Sequence, residues 1–480
     1  MKYILDHTEK KYRKFFEDIC SIPHVSYNEK ALSDFIVKFA EERGLWYMQD
    51  DIWNVIIKKP ASPGYEDHEP VMIQGHIDMV GVKLAESNHN FDTDPLEIYV
   101  EDGFIRAKGT TLGADCGHGI SYMLGILDDN NLKHPPIEAL FTVQEEVGIG
   151  GPKYLDYSIL SAKRMIFTDS MEEGRPELST TSVVGGDFIK KVIEKPDGRM
   201  GYIIRVGGLK GGHGAVNINE GRGNAISIAA RTLLSLMDNG NVRINHLSGG
   251  DLKNNIPKTA EMIITSDLSS TEVEETIAEL HKTLRFEYRE HDPEVFLEME
   301  EAGYVTESLT PETSKTIAEW LTLIPTGTSQ TSLEDPSFPW TSSNLGTLRT
   351  ETGKVIVGYQ YRSNMKSHID MMMKRMDILA ELYDASWEEQ FGYPGYVVQP
   401  GTPMYNAYDE VYRSLTGKGL VDKHIHAGTD VGTIIEGMGG NMDVVGIGPN
   451  TYKFHTPYEE MELASYDRAY QCIVGVLERL

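Results

Sequence analysis

The stretch Phe141-Thr142-Val143-Gln144-Glu145-Glu146-Val147-Gly148 decides how this chain is read. An apolar, β-branched run ends in two adjacent carboxylates and then glycine, the pattern of a buried strand entering a tight loop. Neighbouring side chains leave an extended backbone on opposite sides. Glu145 and Glu146 are therefore expected to do different work, one binding a metal and the other handling a proton. Taken alone, such a pair reads more simply as a solvated acidic turn. The same construction recurs along the chain, and the recurrence changes the weight.

Working outward, Val71-Met72-Ile73-Gln74-Gly75 is a buried strand ending at His76-Ile77-Asp78. Gly113-Ala114-Asp115-Cys116-Gly117 opens a helical run through Ile120, Met123, Leu124, Ile126 and Leu127. Arg164–Thr168 ends at Asp169, and Asp443–Gly448 leads through Pro449 and Asn450 to His455. Upstream, residues 8–22 and 29–44 carry apolar positions at helical spacing, and 54–58 reads as a short strand. Four strand-like runs thus end at or just before His, Glu or Asp. In open α/β sheets, ligands collect outside the carboxyl ends of strands.

At 480 residues the chain exceeds the size at which one core keeps growing, so two domains are expected. From about 186 to 392, strands expected at 188–194, 201–206, 260–266, 294–300 and 354–361 alternate with helices at 225–237, 271–288, 312–323 and 368–385. That texture suits an inserted α+β domain. The expected division is 1–185 and 393–480 for a catalytic α/β domain, with a central mixed sheet flanked by helices, and 186–392 for the insertion. Residues 394–403 read as the return linker, and helices are expected near 406–415, 430–437 and 464–480.

The formal charge of −28 excludes nucleic acid and an anionic membrane as partners. No run reaches the length of a membrane span, and the charged start, Met1 to Arg13, lacks the apolar core of a signal peptide. Three widely spaced cysteines suggest reduced thiols, so a cytoplasmic location is expected.

Imidazole and carboxylate together suit zinc or a similar divalent metal. His76, Asp115, Glu146, Asp169 and His455 exceed what one tetrahedral zinc needs. They suit two metals sharing a carboxylate and clamping a bridging water. Asp78 is placed to orient His76, and Glu145 to act as general base. Each piece has a plainer reading: a polar loop end, a helix N-cap for Asp115, a capped turn for Asp169, a surface residue for His455.

Gly75-His76-Ile77-Asp78-Met79-Val80, Gly113-Ala114-Asp115, Gln144-Glu145-Glu146-Val147-Gly148 and the Asp169 strand end resemble the di-zinc aminoacylase/carboxypeptidase/dipeptidase family. The likeness is nearest to its aminoacyl-histidine dipeptidase branch (cytosolic non-specific, peptidase D-like) and runs nearly end to end. It takes in Gly208–His213, Gly221–Ala225, Tyr393-Pro394-Gly395, His426-Ala427-Gly428 and Gly446–Pro449.

The resemblance implies two Zn²⁺ per chain, with Co²⁺ or Mn²⁺ as substitutes. His76 and Asp169 would hold one ion, Glu146 and His455 the other, and Asp115 would bridge them. It further implies that the insertion is a lid and that the protein is a homodimer acting on small dipeptides, Xaa-His among them. His213 would stabilise the oxyanion, Asn255 and Arg362 would hold the substrate carboxylate, and His426 and Asp430 would contact substrate.

Two departures stand out. Cys116 occupies a position where the family's dipeptidases carry Asn, followed here by Gly117 and His118. The family's Glu in the segment after His426 is here Asp430, one methylene shorter, which bears on recognition of the substrate's amino end. Rival readings are an aminoacylase or other amide hydrolase on the same scaffold, and a non-catalytic peptide- or metal-binding relative. The complete ligand set and Glu145 argue against the last.

Overall fold

The Val71–His76 and Ile137–Thr142 strands are buried at every position, as strands covered on both faces must be. They form the middle of a six-stranded sheet in the computed structural model of the chain, which describes residues 4–6, 8, 10–333 and 335–480. The strand order is Trp46–Gln49, Val55–Lys59, Ile137–Thr142, Val71–His76, Arg164–Phe167, Asp443–Gly446. The last four run parallel and the first two are antiparallel additions, so the sheet is mixed.

Alternate strand residues feed two cores, as the period of two requires. Ile57, Ile73, Ala139, Phe141, Ile166 and Val445 pack with apolar residues of the helices Lys11–Cys20, Lys30–Glu42, Ala114–Asp128, Pro403–Thr416 and Leu463–Leu477. Ile56, Met72, Leu140, Met165, Phe167 and Val444 pack on the other face with Val431 and Ile434 of the helix Asp430–Gly437. Burying side chains of this size stabilises by about 1.5–3 kcal/mol each. Because the last four strands of that order are parallel, their carboxyl ends share one edge. His76, the Glu145–Glu146 loop, Asp169 and the loop to His455 all follow from that edge.

The chain divides into two compact units, residues up to Thr180 with Gly395 onward, and Thr181–Pro394. The second unit is built on a nine-stranded antiparallel sheet. Its helices are Ala225–Met237, Ser270–Glu287, Pro311–Leu323 and Lys366–Leu382. Ser269 and Glu272 form a reciprocal capping box that starts the second of these.

Four strands of the nine-stranded sheet escape the sequence pattern: Val242–Gly249, Gly327–Thr331, Pro339–Glu351 and Ser386–Tyr393. Pro339–Glu351 is mostly buried, yet its run Thr341-Ser342-Ser343-Asn344 is small and polar rather than β-branched and apolar. The segment read as a linker at 394–403 runs directly into a helix, since Thr402 caps it and Pro403 opens it. Among the described residues no helix is long and apolar enough to cross a membrane.

Candidate metal centre

The first unit brings His76, Asp115, Glu145, Glu146, Asp169 and His455 together. Asp115 lies between the histidines: its Oδ1 is 3.0 Å from His76 Nε2, and its Oδ2 is 3.3 Å from His455 Nε2. His76 Nε2 also lies 3.9 Å from Asp169 Oδ1. His455 Nε2 lies 2.8 Å from Glu146 Oε1. Ligand atoms of Asp115, Glu146 and His455 fall within 4.8 Å of one another, as do those of His76, Cys116 and Asp169 and those of His76, Glu145 and Glu146.

The local backbone explains how each group is presented. Asp115 follows Gly113, which sits in the left-handed region at φ 67 and turns the chain into the helix. The Asp115–Cys116 peptide is cis. The strand carrying the glutamates ends at Thr142, and Gln144 takes φ 56. Glu145 and Glu146 therefore sit in a tight turn, where the Glu145 carbonyl accepts from Gly148 and Ile149. This corrects the expectation of an extended pair pointing to opposite sides. Both carboxylates converge on His76, and Glu146 alone of the two is hydrogen-bonded to His455.

Asp78 is buried and touches more than His76. Its backbone carbonyl faces His76 Nδ1 at 3.0 Å, and its Oδ1 lies 3.4 Å from the same nitrogen. The carboxylate also accepts the backbone N–H of Glu145 (3.0 Å), the N–H of Glu146 (3.2 Å) and the Ser26 hydroxyl (2.8 Å). One aspartate thus fixes an imidazole and the turn bearing both glutamates. Sequence reading missed Ser26 and also Glu29, a fully buried glutamate that accepts the Gln144 N–H at 3.3 Å. Ser26-Tyr27-Asn28-Glu29 has only the signal of a polar turn between two helices.

Protonation in the cluster is strongly coupled to its charges. Burial opposes a charge on His76, but Asp115 and Asp78 outweigh it and raise the imidazole well above its ordinary range. The same competition, won by Asp115 and Glu146, lifts His455 to about 10. Burial pushes Glu145, Glu146 and Asp169 up, while hydrogen bonds from His455 and His76 override burial and hold Asp115 down. Four carboxyls in one pocket cannot all ionise beside neutral histidines without a compensating positive charge. Divalent cations supply such charge, and the mixed oxygen–nitrogen donor set fits them.

The start of the Asp430–Gly437 helix lies beneath this cluster. Asp430 Oδ2 accepts from the Thr142 hydroxyl and from Gln74 Nε2, while Oδ1 has no hydrogen-bond partner among the described residues. Burial raises the Asp430 carboxyl to about 7. His426 is 8% exposed at the foot of the same segment.

In the second unit His213 and Asn255 are register partners in a two-stranded ribbon. His213 accepts the Ala215 N–H on Nδ1 at 3.2 Å, and burial together with Arg362 lowers its pKa. Arg362 is 6% exposed and donates to Gln360 Oε1 at 3.1 Å; among the described residues no carboxylate pairs with it. A cavity of about 300 Å³ is lined by Lys210, Gly212, His213, Asn255 and Lys258.

The fold and this donor cluster are those of a metallopeptidase: the chain belongs to peptidase family M20/M25/M40, whose profile matches residues 72–479. It is 31% identical over 470 residues to the cytosol non-specific dipeptidase of Escherichia coli (strain K12), spanning 97% of this chain and 96% of that protein. The crystal structure of aminoacylhistidine dipeptidase from Vibrio alginolyticus superposes with a TM-score of 0.86 at 31% identity, over 98% of this chain and 96% of that one. A tripeptidase from Staphylococcus aureus shares the fold at a TM-score of 0.50 and 16% identity, over 99% of each chain.

Proposed function

We propose that this chain is a two-zinc dipeptidase that cleaves Xaa-His and other dipeptides. Metal-dependent dipeptide hydrolysis is the activity that the family and the two relatives at 31% identity support. The observation that carries the two-metal reading is Asp115, whose two carboxylate oxygens each face a different histidine. His76 and Asp169 would hold one ion, Glu146 and His455 the other, and Asp115 would serve both. Such a pair, when bound, supplies an acidified water and polarises the scissile carbonyl.

The protein's own groups do the rest. Glu145 takes the proton of the attacking water and returns it to the leaving amine, a task suited to a carboxyl that burial has raised. Asp78 keeps Glu145 and His76 in register through the bonds described above. Arg362 is buried with no carboxylate partner among the described residues, which favours it as the receptor for the substrate's own carboxylate, with Asn255 beside His213 in support. His213, held neutral by burial and Arg362, donates to the oxyanion. Asp430, through its free oxygen, and His426 are assigned to the substrate's amino end. Residues 186–392 act as a lid, the protein works as a homodimer, and the relative's cytosolic name favours the cytoplasm.

The test is amino-acid release from a dipeptide panel including Xaa-His and β-alanyl-His, on chelator-stripped protein before and after zinc is restored. Zinc-dependent cleavage that Glu145→Gln abolishes is the expected result. Two bound zinc ions with no dipeptide cleaved, but N-acyl amino acids hydrolysed, would replace the dipeptidase with an aminoacylase.

A further inference from the structure

Two buried side chains outside the donor set grip the turn that presents Asp115. Glu459, 3% exposed, accepts three consecutive backbone N–H groups: Leu112 at 2.8 Å, Gly113 at 3.1 Å and Ala114 at 2.9 Å. His118, fully buried, faces the carbonyl of Ala114 through Nδ1 at 2.5 Å and the carbonyl of Thr168 through Nε2 at 2.7 Å. Ala114 is thereby held at its N–H by Glu459, with the His118 ring set against its carbonyl. Ala114 and Thr168 immediately precede Asp115 and Asp169, and Glu459 lies four residues beyond His455 in a loop closed by its own N–H to the Thr456 carbonyl.

We propose that Glu459 and His118 are positioning residues that set the spacing of the metal pair by fixing Asp115 against Asp169 and His455. The inference rests on the two-metal reading above. Its physical ground is that a shared carboxylate must reach two ions at once, so a small rotation of its turn loosens both. Asp115, Asp169 and His455 come from three separate segments, and no helix or strand hydrogen bond joins their tips. Glu459 joins the first to the third through charge-assisted bonds. His118 packs between the first and the second, its single ring N–H donating to one of the two carbonyls. Cys116 adds a weaker contact in the same place, its Sγ 3.5 Å from the Thr168 hydroxyl.

The test uses Co²⁺ as probe on the full chain. Wild type, Glu459→Gln and His118→Phe are stripped and reloaded. Affinity for each ion is measured by chelator competition, magnetic coupling between the two ions by electron paramagnetic resonance, and the apo melting temperature alongside. Glu138→Gln is the control. Glu138 is equally buried and accepts the N–H groups of Ser161 and Ala162, but at the opposite end of the strand from Glu145.

Glu459→Gln is expected to bind the second cobalt about 10- to 100-fold more weakly, and to lose the coupling, while Glu138→Gln keeps both. His118→Phe, which keeps the ring but not the donor, is expected to weaken it about tenfold. Wild-type affinity and coupling in both variants would overturn the proposal. So would metal loss that merely tracks the fall in melting temperature across all three variants, Glu138→Gln included. If Glu459→Gln does not fold, Glu459→Asp, which keeps the charge but shortens its reach, is judged by the same criteria. A wild type that takes up fewer than two cobalt ions overturns the two-metal reading itself, and does so before any variant is made.

Discussion

The two units handle buried charge in opposite ways. In the first, Asp115, Glu145, Glu146 and Asp169 crowd around two histidines, and both histidines are driven toward the protonated form. In the second, a buried Arg362 that pairs with no carboxylate among the described residues sits near His213, whose pKa is driven down. A pocket of carboxylates calls for cations. A buried guanidinium beside a histidine that resists protonation calls for an anion. Under the proposed roles that difference separates chemistry from substrate holding, and each side of it can be broken by substitution.

The largest effect is expected at Asp115. Replacing it with Ala removes the carboxylate whose two oxygens each face a different histidine, so metal content should fall below two ions per chain. Dipeptide cleavage should fall below detection. Metal analysis by mass spectrometry, alongside the kinetic assay, checks both. If two ions remain bound, another group serves as the bridge.

Glu145→Gln should leave metal content intact and lower kcat by about 10²–10⁴-fold, the usual range for a general acid–base group. On the other side of the comparison, Arg362→Ala should leave metal content and the apo melting curve unchanged. It should lower kcat/KM by roughly 10–100-fold, mainly through KM, since a bond to a charged group contributes about 1.5–3 kcal/mol. An Arg362 variant that loses kcat and metal instead would erase the proposed division of labour.

The two regions also differ in how far sequence reveals them. The first unit's inner strands are continuous apolar runs because they are buried on both faces, and the polar residues that close them stand out. His76, Asp115, Glu146, Asp169 and His455 are legible for that reason. Their supports are not. Ser26, Glu29, His118 and Glu459 look like ordinary turn or helix polarity, because their role is a contact far away in the chain, with the Asp78 carboxylate for Ser26 and with backbone for the other three.

In the second unit, Val242–Gly249 interleaves Val242, Ile244 and Leu247 with Arg243, Asn245 and His246, and Pro339–Glu351 is rich in Ser, Thr and Asn. Half-buried strands of small polar residues carry little strand propensity, so tertiary pairing rather than local pattern makes them strands.

The smallest expected effect tests whether a raised pKa marks function. Glu177 is another buried glutamate of the first unit. Burial lifts it to about 7 against the pull of Lys423 and a hydrogen bond from Ser170. Unlike Glu145, it contacts none of the candidate ligands, so its shift should register in stability and not in turnover. A carboxyl with a raised folded-state pKa binds its proton more tightly folded than unfolded. Its contribution is therefore complete below the ordinary glutamate value of 4.5 and is lost as pH rises through about 7. Across that window Glu177→Gln should flatten the fall in apo-protein stability by about 2 kcal/mol, as read by urea denaturation at pH 4.5 and 8. The kcat profile should keep its shape. If Glu177→Gln instead moves the acid limb of kcat, the charge beneath Ser170 reaches the reacting groups, and burial alone no longer distinguishes the structural glutamate from the catalytic one.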